Sequence, residues 1–280
     1  MSLQIIGDPV LHSKSPVIQG AMLRALGLDI QYTPHVVRRG ELPRYLAWAR
    51  ENGVTGFNAT MPHKEDLIPL LDEIDPAART VGAVNTVCLR NGTWVGFNTD
   101  GAGAVAALEG AGLDPAGLTI TLLGAGGAAK AVALALSAAG AQRVFVCNRT
   151  LSRAETLCAQ DPLGRLHPAA FDGEAPRERA AKSQLLVNCT NLGMAGCDYQ
   201  FEDFDFLDAL PPDAGVFDLI YHPAETELLS QAKLRGLRTL NGLPMLVWQA
   251  VLALERFLDR PLDREAMAAV AANALRIAGV

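Results

Sequence analysis

"LLGAGGAAKA", residues 122–131, is the stretch on which the reading of this chain turns. It ends the apolar, β-branched run "LTITLLG" and opens residues 127–139, whose small apolar side chains carry a helical pattern. Gly124, Gly126 and Ala129 fall in a G-x-G-x-x-A spacing, so Gly124, Ala125, Gly126, Gly127 and Ala128 form a turn between strand and helix. Glycines there permit a tight turn and let the backbone approach a pyrophosphate resting on helix N–H groups. A lone match is weak, because an ordinary glycine-rich turn has the same composition. Its position after a strand and before a helix is what points to a dinucleotide.

Working outward, strand "RVFVCN" (143–148), a helix from about 151, and strands "QLLVNCT" and "GVFDLI" continue the alternation. Strands alternating with helices predict a parallel, doubly wound sheet. The second strand then selects the dinucleotide. An NAD site usually ends it with an acid that accepts from the ribose 2′-OH; here it ends "CNRTLSR", with Asn148, Arg149, Thr150 and Arg153. Two guanidiniums and a hydroxyl suit a 2′-phosphate through charge-assisted hydrogen bonds, which favours NADP. The plain alternative is a pair of surface arginines at a solvated helix start.

Upstream, residues 3–60 alternate strands "LQIIG" and "VTGFNAT" with helical patterns, the first helix placing Val17, Ile18, Ala21, Met22, Ala25 and Leu26 on one face. Asn91-Gly92 between two β-rich runs signals a type I′ hairpin. After Asp100 the composition shifts toward Ala and Gly, and residues 243–280 read as helical throughout. The expected class is therefore α/β, with a Rossmann-like sheet in the second part.

Composition limits the partners. The 280 residues are half hydrophobic, with a net charge of -6 and no block of like charges, which argues against nucleic acid or an anionic membrane and for a small ligand. Five cysteines without a CxxC pair fit reduced thiols in a cytosol, mostly as buried filler. "MSLQIIGDPV" lacks a basic, then apolar, leader pattern, and the apolar stretch 128–141 holds Lys130 and is too short for a bilayer.

In "HSKSPVIQG", Ser15 reads as a helix N-cap before Pro16, while Ser13 has no structural task in that reading; two hydroxyls at a helix N-terminus suit a small carboxylate. "GFNATMPHKEDL" (56–67) reads as a strand running into a helix with Pro62 in its first turn, where Lys64 would oppose the helix dipole. Asp100, either an N-cap or a partner that orients an ammonium, completes a pair with Lys64 suited to moving a proton at a carbonyl oxygen. Asn58, Thr60 and Asn85 sit where they could read ring hydroxyls, though each is also an ordinary turn residue. Gln249, in an apolar helix in register with Leu246, Ala250 and Ala253, either closes a backbone gap or reaches a ligand. The five histidines show no metal-ligand spacing and there is no nucleophile elbow, so metal and covalent catalysis are not expected.

Nine blocks in order, "GDPVLHSKSP", "GFNATMPHK", "GAVNTV", "GFNTDGAG", "GAGGAAKA", "NRTLSR", "NCTNLGM", "FDLIYHPAETELL" and "GLPMLVWQA", resemble the shikimate dehydrogenase family over roughly residues 5–257. The resemblance implies NADPH-dependent reduction of 3-dehydroshikimate to shikimate by a cytoplasmic enzyme of two α/β domains. Residues 1–100 plus 243–280 would hold the substrate and 101–242 the NADP. It puts the carboxylate-binding serines at Ser13 and Ser15, and the hydroxyl-binding residues at Asn58, Thr60, Asn85 and Gln249. Lys64 and Asp100 would be catalytic, and Tyr221 matches the family's active-site tyrosine. Met194, Gly242 and Leu219 match positions lining the nicotinamide, and Asn148, Arg149, Thr150 and Arg153 the phosphate clamp. Departures are Ala59 for Val, Gln19 for a common His, Lys130 for Arg, and "NCTNLGM" for the usual Asn-Ala-Thr-Ser/Pro. Relatives that take quinate and NAD usually carry an acid near the second strand's tip, and Asp is absent here. A broader quinate/shikimate dehydrogenase and a non-catalytic NADP-sensing module are the rival readings; a monomer and a homodimer are both compatible with it.

Overall fold

The computed structural model describes residues 2–172 and 174–279. The chain divides into two compact units, Met1–Thr99 with Val247–Val280, and Asp100–Leu246, each of which contains a six-stranded sheet.

In the first unit, β1 (Ser2–Gly7), α1 (Ser15–Ala25), β2 (Gln31–Val36), α2 (Leu42–Glu51), β3 (Val54–Ala59), β4 (Glu73–Ile74), α3 (Pro76–Val81), β5 (Thr86–Arg90) and β6 (Thr93–Phe97) follow in order. The sheet runs β2-β1-β3-β5-β6-β4. The first three strands are parallel, and β5 and β6 form an antiparallel hairpin. Its turn takes φ of 51° at Asn91 and 82° at Gly92, the two positive values that a type I′ turn requires. Leu3, Ile6, Phe57, Val87 and Trp94 are fully enclosed, and Trp94 meets Phe57 edge-on at 5.5 Å.

Two expectations fail here. The core face of α1 is Ser15, Ile18, Gln19, Met22 and Leu23, while Val17 and Ala25 face outward. Gln19 enters the core because its Nε2 donates to Ala250 O at 2.9 Å. Residues 61–67 form turns rather than an α-helix, followed by a single 3-10 turn at Ile68–Leu70. Prolines 62 and 69 remove backbone donors, and the Lys64 carbonyl accepts from Val84 N at 2.8 Å instead of from a residue one turn on. Lys64 therefore does not oppose a helix dipole.

The second unit contains α4 (Asp100–Gly110), β7 (Thr119–Leu123), α5 (Gly127–Ala138), β8 (Arg143–Asn148), α6 (Leu151–Cys158), β9 (Leu166–Ala170), α7 (Ala175–Ala180), β10 (Leu185–Asn188), β11 (Gly215–Asp218), α8 (Glu227–Leu234) and β12 (Arg238–Leu240). All its strand pairs are parallel, in the order β12-β11-β10-β7-β8-β9. With β7 taken as the first strand this is the 3-2-1-4-5-6 doubly wound order, whose switch point lies between β7 and β10. Residues of β7, β8 and β10 are enclosed on both faces, as covered parallel strands require. Gly101 lets α4 press on α5, since a Cβ there would lie 2.3 Å from Ala131 O.

The tail is two helices, α9 (Leu243–Leu258) and α10 (Arg264–Ile277), and not one continuous run. Asp259, with φ of 51°, and Pro261 interrupt it. Glu255 spans the break, accepting from Arg264 Nε at 2.9 Å and Nη2 at 2.8 Å, and Asp263 caps α10 through Ala266 N. Within the first unit, α10 packs on α1.

Candidate active site

In the second unit the glycine-rich turn lies at the switch point. Gly124 has φ of +108°, and a Cβ there would come 3.2 Å from Thr190 Cγ2 and 3.3 Å from Cys189 O, so both conformation and space call for glycine. Gly126 is the N-cap of α5 with no side chain closing it. Cβ atoms at Gly126 or Gly127 would meet nothing within 4 Å, so the helix's first N–H groups face open space. That is the shape a pyrophosphate requires, and the residues present fit a dinucleotide.

At the tip of β8, Asn148 Nδ2 donates to Thr150 O at 2.8 Å, which holds the turn. Thr150 sits at the N-cap position of α6 without its hydroxyl closing the helix. Arg149 and Arg153 are exposed, and among the described residues neither guanidinium has a hydrogen-bond or ion-pair partner. Arg149 also borders a cavity of about 530 Å³ that Leu192 and Phe201 help to line.

Further along the same edge, Gly242 lies against Leu219, where a Cβ would be 1.9 Å from Leu219 O, and its N donates to Ile220 O at 3.0 Å. Met194 and Tyr221 are surface-accessible, 41% and 36% exposed. Beneath this loop is a carboxylate that sequence reasoning did not single out. Asp218, fully buried, accepts from Thr226 Oγ1 at 2.6 Å, Asn188 Nδ2 at 3.0 Å and Ile220 N at 3.1 Å. Burial raises its pKa above the usual carboxylate value, against the opposing pull of these donors. Asp100 occupies the first turn of α4 rather than the capping position before it, and is 8% exposed.

In the first unit, Ser13, Ser15, Asn58, Thr60 and Asn85 gather at one end of the sheet, where β1 and β3 finish and β5 begins. Ser15 is not a cap. It lies inside the first turn of α1, and its N donates to Ser13 Oγ at 3.2 Å, so Ser13 does have a structural task. Asn58 is nearly spent within the protein. Its Nδ2 donates to Asn85 O and Thr86 Oγ1, both at 3.0 Å, and its Oδ1 accepts from Tyr32 Oη at 2.7 Å. No amide donor is left, only one lone pair. Asn85 Oδ1 accepts from Thr86 Oγ1 at 2.8 Å and Thr99 N at 2.9 Å.

Thr60 N donates to Ile6 O at 3.0 Å, and its methyl fills the space above Gly7, where a Cβ would be 2.5 Å away. The Lys64 carbonyl accepts from Val84 N at 2.8 Å, and the preceding residue, His63, donates its own N–H to Thr60 O at 3.0 Å. His63 is fully buried with Nε2 2.6 Å from Val37 O. Gln249, in α9, is half-buried among the enclosed Val247, Ala250 and Ala253, less covered than the apolar run suggests.

Three family models match in order: the shikimate dehydrogenase substrate binding domain over residues 5–87, shikimate / quinate 5-dehydrogenase over 108–173, and the shikimate 5'-dehydrogenase C-terminal domain over 242–271. The shikimate dehydrogenase (NADP(+)) of Symbiobacterium thermophilum is 42% identical over 277 residues, 96% of this chain and 94% of that one. The chain belongs to the shikimate dehydrogenase family. The structure of the family's Thermus thermophilus member in complex with NADP(H) and shikimate matches with a TM-score of 0.83 at 35% identity, covering 98% of this chain and 99% of that one. Quinate dehydrogenase from Corynebacterium glutamicum in complex with NAD matches with a TM-score of 0.86 at 31% identity, covering 98% and 99%. Fold similarity thus spans both specificities of the shikimate dehydrogenase family, and local chemistry decides between them.

The polar residues that sequence reasoning missed, Tyr32, Thr86, Asn188, Asp218 and Thr226, share one property: each is a buried polar side chain whose partners come from other strands or loops. "NCT" and "FDLI" carry two of them, but without a spacing that marks a site.

Proposed function

We propose that this chain catalyses the reversible, NADP-dependent reduction of 3-dehydroshikimate to shikimate, in the cytosol, as a monomer or homodimer. The observation that carries the reading is the β8 tip, where two guanidiniums without protein partners among the described residues stand in place of a carboxylate, next to a glycine turn that leaves the α5 N–H groups open. A 2′-phosphate and a pyrophosphate match these features in turn.

When bound, NADPH supplies hydride to the C3 carbonyl carbon. The protein's own residues do the rest. Ser13 and Ser15 hold the carboxylate, while Thr60, Asn85 and Gln249 accept from or donate to ring hydroxyls. Asn58, with its donors already engaged, contributes chiefly by holding Asn85 and Thr86 in place. Lys64 gives a proton to the oxygen as the carbonyl is reduced and takes it back in the oxidative direction, and Asp100 is the second residue assigned to this acid/base chemistry. Asn148, Arg149, Thr150 and Arg153 would take the adenosine end and Gly124 to Ala128 the pyrophosphate, Met194, Leu219 and Gly242 would line the nicotinamide, and Tyr221 would serve the substrate. On this reading residues 1–100 with 243–280 form the substrate domain and 101–242 the cofactor domain.

The five cysteines are free thiols, and burial pushes Cys88 and Cys147 up to about 12 and Cys158 up to about 11, which keeps these three protonated near neutral pH. Among the described residues no helix is long and apolar enough to cross a membrane. The test is incubation of the purified protein with 3-dehydroshikimate and NADPH, following reduced-nicotinamide absorbance and identifying the product. Consumption of NADPH with formation of shikimate is expected; folded protein that binds NADPH and consumes none contradicts the proposal.

A further inference from the structure

Tyr32 lies on β2, an edge strand, yet it is only 7% exposed. Its Oη donates to Asn58 Oδ1 at 2.7 Å, and the Ser15 side chain lies against the same phenol. Burial raises its pKa well above the ordinary value of 10.0, and the Ser15 contact offsets only part of that, so the group is a permanent neutral donor.

From Tyr32 the bonds continue without a gap. Asn58 Nδ2 donates to Thr86 Oγ1 at 3.0 Å, Thr86 Oγ1 donates to Asn85 Oδ1 at 2.8 Å, and Asn85 Nδ2 donates to Thr99 Oγ1 at 3.0 Å. Every member of this chain is 9% exposed or less, from Ser15 at one end to Thr99 at the other. The orientation of the Asn58 amide depends on both neighbours: Tyr32 requires an oxygen on its side, and Thr86 and the Asn85 carbonyl require hydrogens on theirs. Without the phenol hydroxyl, Oδ1 loses its buried donor and Ser15 loses its neighbour in the same step.

We propose that Tyr32 is a positioning residue for substrate specificity, fixing, through Asn58 and Thr86, the spacing between the serines that take the carboxylate and Asn85, the member of the network assigned to the ring hydroxyls. The inference rests on the assignment above of Ser15 and Asn85 to the substrate. A buried network satisfied at every atom holds one geometry, and a ring with a carboxylate at one end and hydroxyls at the other needs both ends in place together.

The experiment is steady-state kinetics of Tyr32→Phe, which removes one oxygen and keeps the ring, with shikimate and NADP⁺ varied separately. The expected result is a KM for shikimate raised about 10-fold, with kcat and the KM for NADP⁺ each changed less than about threefold. Thr86→Val removes the bond on the other side of Asn58 and is expected to show the same pattern, which keeps the inference testable if Tyr32→Phe misfolds. A shikimate KM unchanged in a folded variant, or KM for shikimate and NADP⁺ rising together with a lowered melting temperature, overturns it. Ser15→Ala separates the two levels: if it leaves the shikimate KM unchanged the site assignment itself falls, whereas if it raises KM while Tyr32→Phe does not, only the role of Tyr32 falls.

Discussion

Replacing Arg149 and Arg153 together with alanine tests the cofactor assignment where its physics is simplest. Both guanidiniums are exposed and unpartnered among the described residues, so their removal breaks no internal bridge and strands no buried charge. Stability should change by no more than about 0.5 kcal/mol, as for ordinary surface substitutions. Against a 2′-phosphate each would make a charge-assisted hydrogen bond of about 1.5 to 3 kcal/mol, reduced by solvent at this exposed tip to about 1 to 1.5 kcal/mol. The pair then contributes about 2 to 3 kcal/mol, which is about 30- to 150-fold in kcat/KM for NADP⁺. NAD⁺ has no phosphate at this position, and its kcat/KM should change less than about threefold. The assay is initial-rate oxidation of shikimate with each cofactor in turn. Raising ionic strength should narrow the difference between wild type and variant with NADP⁺, because the Debye length falls from about 10 Å at 0.1 M to about 3 Å at 1 M. Equal losses with both cofactors, or no loss with either, would refute the clamp.

Lys64→Ala should lower kcat by about 100- to 10,000-fold while shikimate still binds, read by single-turnover kinetics and direct titration. Gly242→Ala would put a Cβ 1.9 Å from Leu219 O, forcing two backbone segments apart. The nicotinamide position should shift with them, and kcat should fall about 100-fold with little change in far-ultraviolet circular dichroism. Asp161→Asn addresses stability. The Asp161 carboxylate accepts from Ser137 Oγ and from the backbone N of Leu163, Arg165 and Leu166. Burial alone would raise its pKa from 3.8, but these four donors together outweigh it and hold it below that value. An amide would turn donors toward donors, at a cost of about 2 kcal/mol near neutral pH. Because the folded pKa is depressed, the carboxylate's contribution is present above the unfolded value and lost as pH falls through the folded one. The gap in melting temperature between wild type and variant should therefore close below about pH 4.

How much of this was legible without coordinates varied with the kind of signal. The second unit was readable because the strand, glycine turn and helix succeed one another in sequence, and buried parallel strands such as "LTITLL" and "LLVN" are continuous apolar runs. Its edge strands were not. "LHPAA" and "RTL" lack that run, and in the first unit "QYTPHV" contains Pro34, which an edge strand tolerates because one side of its ladder is unpaired.

The site shows the same division. Ser13 and Ser15 were singled out by residue type, but the helix begins one residue earlier than capping rules placed it. The sequence around Lys64 implies a helix that does not form, because Pro62, Pro69 and the bond from Val84 N to the Lys64 carbonyl hold the segment in turns. Tyr32 and Asp218 leave no local mark. A lone polar residue in a strand looks like half of an amphipathic pattern until the fold encloses it and supplies partners distant in the sequence.

Substrate and cofactor choice are read together by an initial-rate grid at the reduced-nicotinamide band, with shikimate and quinate each paired with NADP⁺ and NAD⁺. Efficient turnover is expected in the shikimate and NADP⁺ pair, with the two NAD⁺ pairs lower by at least about 30-fold, the low end of the contribution of the arginine pair, and with quinate and NADP⁺ lower than shikimate and NADP⁺. Quinate or NAD⁺ turnover at comparable efficiency would contradict the assignment of this chain as an NADP-dependent shikimate dehydrogenase.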